Sequence, residues 1–167
     1  IIDGKEIKTG DMGNCVMPHN HQHVLATYHK AGETEVIQAI DVAMKSWKTW
    51  STTTLEERTK IFRKAAELLQ GPWRDTINAA TMLNQSKNAF QAEIDAACEL
   101  IDFFNFNVQY AEEITANQPL ISPEGMHNHL EYRPLEGFVF AITPFNFTSI
   151  AGNLPSGPAI MGNVALW

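Results

Sequence analysis

Apolar positions fall into three successive patterns along the chain. Up to about residue 30 they are scattered among turn-forming pairs. Asp3-Gly4 is a hairpin-type dipeptide, Gly10-Asp11 and Gly13-Asn14 are further turn signals, and Val24–Tyr28 predicts a short strand. Helical spacing follows. Val36, Ile37, Ile40, Met44 and Trp47 form one stripe. Thr54-Leu55-Glu56-Glu57 is a capping box: the Thr54 hydroxyl can accept from the Glu57 amide while Glu57 reaches back. The helix it opens carries Ile61, Phe62, Ala65, Leu68 and Leu69 on its apolar face, and Gly71-Pro72 ends it, with the glycine expected in a left-handed cap. A shorter helix is predicted from Trp73 to about Leu83. The longest periodic run, Phe90 to Ile114, places Ile94, Ala97, Ile101, Phe104, Val108 and Ala111 on one face.

The third pattern starts after a break at Gln118-Pro119 to Gly125 and an extended segment, Leu130–Pro134. Phe138–Ile142 is apolar without alternation, as expected of a strand covered on both faces in a parallel sheet. Pro144 should end it. Thr148–Met161 is apolar but interrupted by glycine and proline, which predicts a packed helix kinked near Pro155 or Pro158. Gly162-Asn163 is a turn, and Val164–Trp167 begins another buried strand. The fold class is therefore α/β, a helical layer followed by the opening strand–helix–strand unit of a parallel sheet. One such unit does not complete a doubly wound sheet, so the pattern is that of the front part of a larger protein.

Charge removes several functions. The 12 basic and 19 acidic residues give a net charge of −7, with no run of lysine or arginine to neutralise phosphates, so no nucleic-acid partner is expected. No apolar stretch is long enough to span a bilayer, and no membrane association is expected. Cys15 and Cys98 cannot build a dense disulfide framework, which fits a reducing compartment. Ile1–Glu6 is no signal or transit peptide as it stands.

Candidate chemistry is concentrated in one loop. His19, His21 and His23 recur at period two, and His127 and His129 repeat the spacing, but Pro18 and Asn20 favour a turn and no partner has ligand spacing. A solvated polar loop is the better reading, and no metal is assigned. Cys15 falls in a turn region without a flanking base, and Cys98 in a helix interior where cysteine packs as a small hydrophobe. The loop Ile142-Thr143-Pro144-Phe145-Asn146-Phe147 differs from these. It follows the carboxyl end of a buried strand, where open α/β sheets bind ligands. Its asparagine is either a turn residue capping the next helix or a donor to a developing oxyanion, typically worth about 3–4 kcal/mol in the transition state.

Gly137 to Phe147, with Pro158-Ala159 and Gly162-Asn163-Val164 after it, resembles the start of the cofactor domain of NAD(P)-dependent aldehyde dehydrogenases. Gln91–Ala97, Glu99–Phe104 and Tyr132–Gly137 are similar, more narrowly, to the branch that acts on L-glutamate γ-semialdehyde in proline breakdown. The resemblance runs over essentially the whole chain. It implies that Asn146 serves the oxyanion hole when a cysteine thiolate attacks the aldehyde. The thiohemiacetal so formed passes hydride to NAD and leaves a thioester for hydrolysis. It further implies that Ile142, Thr143, Pro144 and Phe145 line the nicotinamide-ribose side. Thr143 stands where that branch often has serine. Phe147 would flank the aliphatic part of the substrate, and Glu99 would lie near its channel, unless Glu99 is simply a surface helix charge.

The same resemblance divides the chain into a strand-and-helix layer (1–117), a protruding oligomerisation arm (118–134) and the first part of the NAD-binding sheet (135–167). A homodimer is implied, in the mitochondrial matrix of a eukaryote or the cytoplasm of a bacterium. Neither cysteine follows a Gly-Gln pair, and neither Glu124-Gly125 nor Glu136-Gly137 has the Glu-x-Gly-Gly context of the family's general base. The nucleophile and base are expected outside these 167 residues, with a Lys-Pro directly after Trp167, and the piece alone is expected to be inactive. An aldehyde dehydrogenase of another substrate class, and a non-catalytic fragment acting as an interaction module, are the rival expectations.

Overall fold

The computed structural model describes residues 1–167. Ile2 and Lys5 exchange two backbone hydrogen bonds across Asp3-Gly4. Both central residues have positive φ (53° and 70°), as a tight two-residue hairpin turn requires. Strands β1 (Met12–Met17) and β2 (Asn20–His29) then form an antiparallel hairpin. β2 is longer than the predicted Val24–Tyr28, and Gly13-Asn14 lies inside β1 instead of turning. The paired ladder gives these backbones partners and holds turn-prone residues extended. Cys15 accordingly sits in a strand, not a turn, and its thiol donates to Asn84 Oδ1 at 2.8 Å.

The helical layer comprises α1 (Glu33–Trp50), α2 (Leu55–Gln70), α3 (Arg74–Gln85), the single turn α4 (Ala89–Ala92) and α5 (Glu99–Ala116). The Thr54–Glu57 capping box closes in both directions: the Thr54 N–H donates to Glu57 Oε2 (2.9 Å) and the Glu57 N–H to Thr54 Oγ1 (3.2 Å). Gly71 is not left-handed (φ −105°). Its N–H bonds the Glu67 carbonyl and that of Trp73 the Leu68 carbonyl. The chain thus swings directly into α3, with Trp73 as its N-cap residue. The predicted α1 stripe is only partly used. α1 packs on the sheet described below and buries Ala43, while Val36, Ile37 and Met44 stay exposed.

The longest periodic run is not one α-helix. A π-helical turn, Glu93–Cys98, joins α4 to α5. Wider i→i+5 spacing rotates the faces against each other, so Ile94 is exposed while Ala92, Asp95, Ala96 and Ala97 are buried. Beyond the π turn the prediction holds. Ile101, Phe104, Val108 and Ala111 are buried, and Phe104 meets Phe62 of α2 at 5.8 Å between ring centroids.

β3 (Phe138–Phe140) and β4 (Val164–Leu166) pair in parallel, Phe138 opposite Val164, around α6 (Thr148–Ile160). The strand is shorter than Phe138–Ile142 and is not covered on both faces: Phe140 and Ile142 are exposed. In a two-stranded sheet both strands are edges, and three residues each give helices little to cover. The helix α6 runs through Pro155 and Pro158. It approaches α5 closely, since a Cβ on Gly152 would come within 2.7 Å of Leu100 Cδ1. Gly162, at φ +87°, makes the turn into β4 where a Cβ would meet Pro134 Cγ at 2.7 Å.

Residues 118–134 contain neither helix nor strand, so Leu130–Pro134 has no ladder partner. The Gln118 side chain pairs with both backbone groups of Leu130, accepting at 2.9 Å and donating at 3.1 Å. This closes the base of the excursion, leaving Leu120, Ile121 and Met126 exposed.

Candidate active site

The Ile142–Phe147 loop joins β3 to α6, and contacts around α6 determine where it sits. This helix carries no charged side chain of its own, two prolines and two glycines. Its neighbours supply what its sequence lacks. In its first turn, Ser149 is fully buried and donates to Glu99 Oε2 of α5 at 2.7 Å. Asp95 Oδ1 of the π turn lies 3.4 Å from the same hydroxyl. A hydroxyl has one proton, so the shorter bond takes it. Two carboxylates thereby stand at the positive end of the helix.

The opposite end is closed by α1 and α2. Arg58 Nε donates to the Ile160 carbonyl (2.8 Å) and Trp50 Nε1 to that of Ala159 (3.1 Å). Asn163 donates to the Pro158 carbonyl from both its backbone N–H and its amide, each at 3.0 Å. Burial pulls the Arg58 guanidinium below its ordinary value, because desolvation disfavours the charged form.

The loop is anchored on its other flank as well. Thr148 Oγ1 bonds Thr81 Oγ1 (2.8 Å) and accepts from Gln85 Nε2 (2.9 Å), tying the loop's exit to α3. Lys87, between α3 and α4, reaches over to the loop itself. Its ammonium pairs with Asp95, donates to the Asn146 carbonyl at 2.6 Å and lies 4.5 Å from the Phe147 ring centroid. The π turn that carries Asp95 is fixed to α3 by Glu93, which accepts from Arg74 and Asn78. The Arg74 hydrogen bond, then that of Asn78, holds the Glu93 carboxyl below the usual carboxylate range, and the same pairing raises Arg74.

Asn146 is exposed at the strand tip, and its side-chain amide has no hydrogen-bond partner within the chain. Ile142 and Phe145 are also exposed, Thr143 and Pro144 half-buried, and Phe147 is the N-cap residue of α6. Glu99 is not a free surface charge, since Ser149 occupies one of its oxygens. An adjoining cleft of about 560 Å³ is lined by Val139, Ala141, Ile142, Asn107 and Asn153 among others; Asn146 is not part of its wall. His19 lies at the hairpin turn with Nδ1 bonded to Ser86 Oγ (2.8 Å), and His21 and His23 are in β2. Cys98 lies in the π turn beside Glu93 and Arg74.

Three residues that shape this site were not singled out from the sequence. Lys87 has no motif around it, and Ser149 and Asp95 show their role only once α5 and α6 are side by side. The Asn88-Ala-Phe-Gln91 capping box, which starts α4, did carry a readable signal.

The chain belongs to the aldehyde dehydrogenase family, whose profile matches residues 7–167, the parallel strand–helix–strand unit and its Pro-Phe-Asn-Phe loop included. Among relatives, it is 51% identical over 166 residues to the probable delta-1-pyrroline-5-carboxylate dehydrogenase of Schizosaccharomyces pombe, covering 99% of this chain and 30% of that protein. It is 47% identical to the mitochondrial delta-1-pyrroline-5-carboxylate dehydrogenase of Homo sapiens, covering 100% of this chain and 30% of that protein. The crystal structure of the Mycobacterium tuberculosis enzyme of the same name, bound with NAD, superposes with a TM-score of 0.96 at 51% identity, covering 99% of this chain and 31% of that one. The chain therefore spans somewhat less than a third of the length of the relatives it matches.

Proposed function

We propose that the protein carrying this chain oxidises L-glutamate γ-semialdehyde, the open form of 1-pyrroline-5-carboxylate, to L-glutamate, with NAD as hydride acceptor. The structural observation that carries the reading is the anchored loop: Asn146 stands at the tip of a parallel strand with its backbone tied down and its amide unpartnered. The names of relatives at 47% and 51% identity support the substrate.

In this reading Asn146 Nδ2 donates to the aldehyde oxygen as it turns negative under attack by a thiolate from another part of the protein. A preorganised donor of this kind lowers the barrier because it gains strength as charge develops. Phe147 packs on the substrate's aliphatic part, and Glu99, held by Ser149, lines its approach. The residues at the loop fit the nicotinamide-ribose end of a dinucleotide, away from its phosphates. Ile142, Thr143, Pro144 and Phe145 carry no charge, and Ile142 and Phe145 offer exposed apolar surface beside a hydroxyl. They would hold the nicotinamide-ribose side. NAD, when bound, supplies the hydride acceptor. The α6 N-terminus is not the place for its phosphates, since Glu99 and Asp95 already face it. Residues 118–134 form an arm that pairs with a second subunit. The compartment is the mitochondrial matrix in a eukaryote and the cytoplasm in a bacterium.

The full-length protein assayed with 1-pyrroline-5-carboxylate is expected to turn over with NAD, and to prefer this substrate to a simple aliphatic aldehyde lacking the carboxylate. Preference for the simple aldehyde would assign it to another substrate class, and no turnover of either would support the non-catalytic alternative. Asn146→Ala should lower kcat about 10²–10³-fold with the fold intact by circular dichroism; a near-normal rate removes the oxyanion role.

A further inference from the structure

The geometry points to Lys87 as a positioning residue that holds the Asn146 loop for reaction, an assignment that rests on the reading of Asn146 as the oxyanion donor. The lysine sits just past the α3 C-cap, where Ser86 adopts a left-handed conformation (φ 54°) that turns the chain out of the helix. Its side chain is only 18% exposed and that of Asp95 only 9%. A lysine so enclosed needs every proton directed, and an ammonium has three. Here one faces the Asp95 carboxylate, one the Asn146 carbonyl at 2.6 Å, and the charge lies over the Phe147 ring at 4.5 Å. Asp95 is fixed in turn by the π turn, which Glu93 joins to Arg74 and Asn78 of α3.

The consequence is local and mechanical. Lys87 grips the carbonyl of Asn146 and the side chain of the next residue, so the peptide between them cannot rotate freely. Thr148 and Ser149 fix the residues that follow. What freedom remains at Asn146 is in its own side chain, whose amide no protein group occupies. Lys87 never approaches the substrate itself: it acts through the backbone of the residue that does. Misplacing a catalytic donor by about 1 Å can cost on the order of 10²-fold in rate, so a clamp on its backbone is a plain route to control over turnover.

The test uses the full-length enzyme with 1-pyrroline-5-carboxylate and NAD. Lys87→Met keeps the apolar stem and removes the donors. It should lower kcat about 10- to 100-fold, with the substrate KM little changed, because the affected bond is made in the transition state. Lys87→Arg, which restores a charged donor, should recover most of that loss. The double variant Lys87→Met/Asn146→Ala should be no slower than Asn146→Ala alone, since the clamp has nothing left to position. If Lys87→Met is insoluble because Asp95 is left unpaired, Lys87→Met/Asp95→Asn, which removes that charge as well as the donors, takes its place in the same comparison. Losses that multiply in the double variant, or a Lys87 variant with unchanged kcat beside a crippled Asn146→Ala, overturn the positioning role and leave the oxyanion reading standing. A near-normal Asn146→Ala overturns both.

Discussion

Glu93 shows how a single carboxylate can matter to a site it does not enter. It accepts from Arg74 and Asn78 and so fixes the π turn to α3, and the π turn presents Asp95 to Lys87. Its pKa lies below the ordinary carboxylate value when folded, chiefly through the Arg74 bond. A group with a depressed folded pKa contributes stability that is fully present above its unfolded pKa and is lost as pH falls through the folded one. Hydrogen exchange of the π-turn amides should therefore quicken as pH drops below the usual carboxylate range, after correction for intrinsic exchange. Glu93→Gln should flatten that dependence. An equally steep dependence in the variant would place the titrating group elsewhere. Individual residues were legible from sequence where a local pattern set their role. The Thr54–Glu57 pair and the Asp3-Gly4 turn depend on residues within three positions of each other. Ser149 and Lys87 owe theirs to partners 50 and 59 positions away, which no local spacing encodes.

Among the elements, α6 is stabilised almost wholly from outside. Replacing Arg58 with alanine removes the donor to the Ile160 carbonyl and the one to Thr53. Leaving such a buried acceptor unsatisfied costs about 1–3 kcal/mol. The amides of Gly162 and Asn163, which bond the Ala159 and Pro158 carbonyls, should lose hydrogen-exchange protection by a comparable amount. Unchanged protection would show that α6 keeps its C-terminal turn without α2. Helices with strong periodicity, α2 and α5, are readable from sequence because one face of each is packed along much of its length, although on α2 only Phe62, Ala65 and Leu69 of the predicted stripe pack, while Ile61 and Leu68 are exposed. The π turn is not readable, since its extra residue per turn leaves composition untouched and only shifts which side chains face inward. Ile94 fell to the outside for that reason. The α1 stripe failed differently: Val36, Ile37 and Met44 have the right spacing but stay exposed, and Ala43 is the residue the helix buries.

At the scale of the whole molecule, large apolar side chains are exposed on many elements, the β3–α6 loop and the 118–134 segment among them. Leu120 is fully exposed and Ile121 nearly so, on a segment closed at its base by Gln118 and Leu130. If this arm pairs subunits, Leu120→Asp with Ile121→Asp should convert a dimer of the full-length protein to monomer, read by light scattering during size-exclusion chromatography. A variant that stays dimeric would move the interface to another surface. The fold class and the loop were evident from the chain's own pattern, whereas the exposure of Phe140 and Ile142 was not. Apolar runs report that a strand can be covered, not how many neighbouring strands and helices are present to do it.

The composition of α6 has a consequence for how the molecule is assembled. Its thirteen residues, Thr148 to Ile160, hold two prolines, two glycines and no ion pair, a segment with little tendency to coil by itself. It winds only against partners already in place, with acids waiting at one end and a guanidinium at the other. The expected order of construction is that α2 and α5 meet before α6 forms, with the asparagine loop shaped last. Damage to the scaffold far from the loop would thus reach the chemistry first as an unfinished loop, before it showed as an unfolded chain.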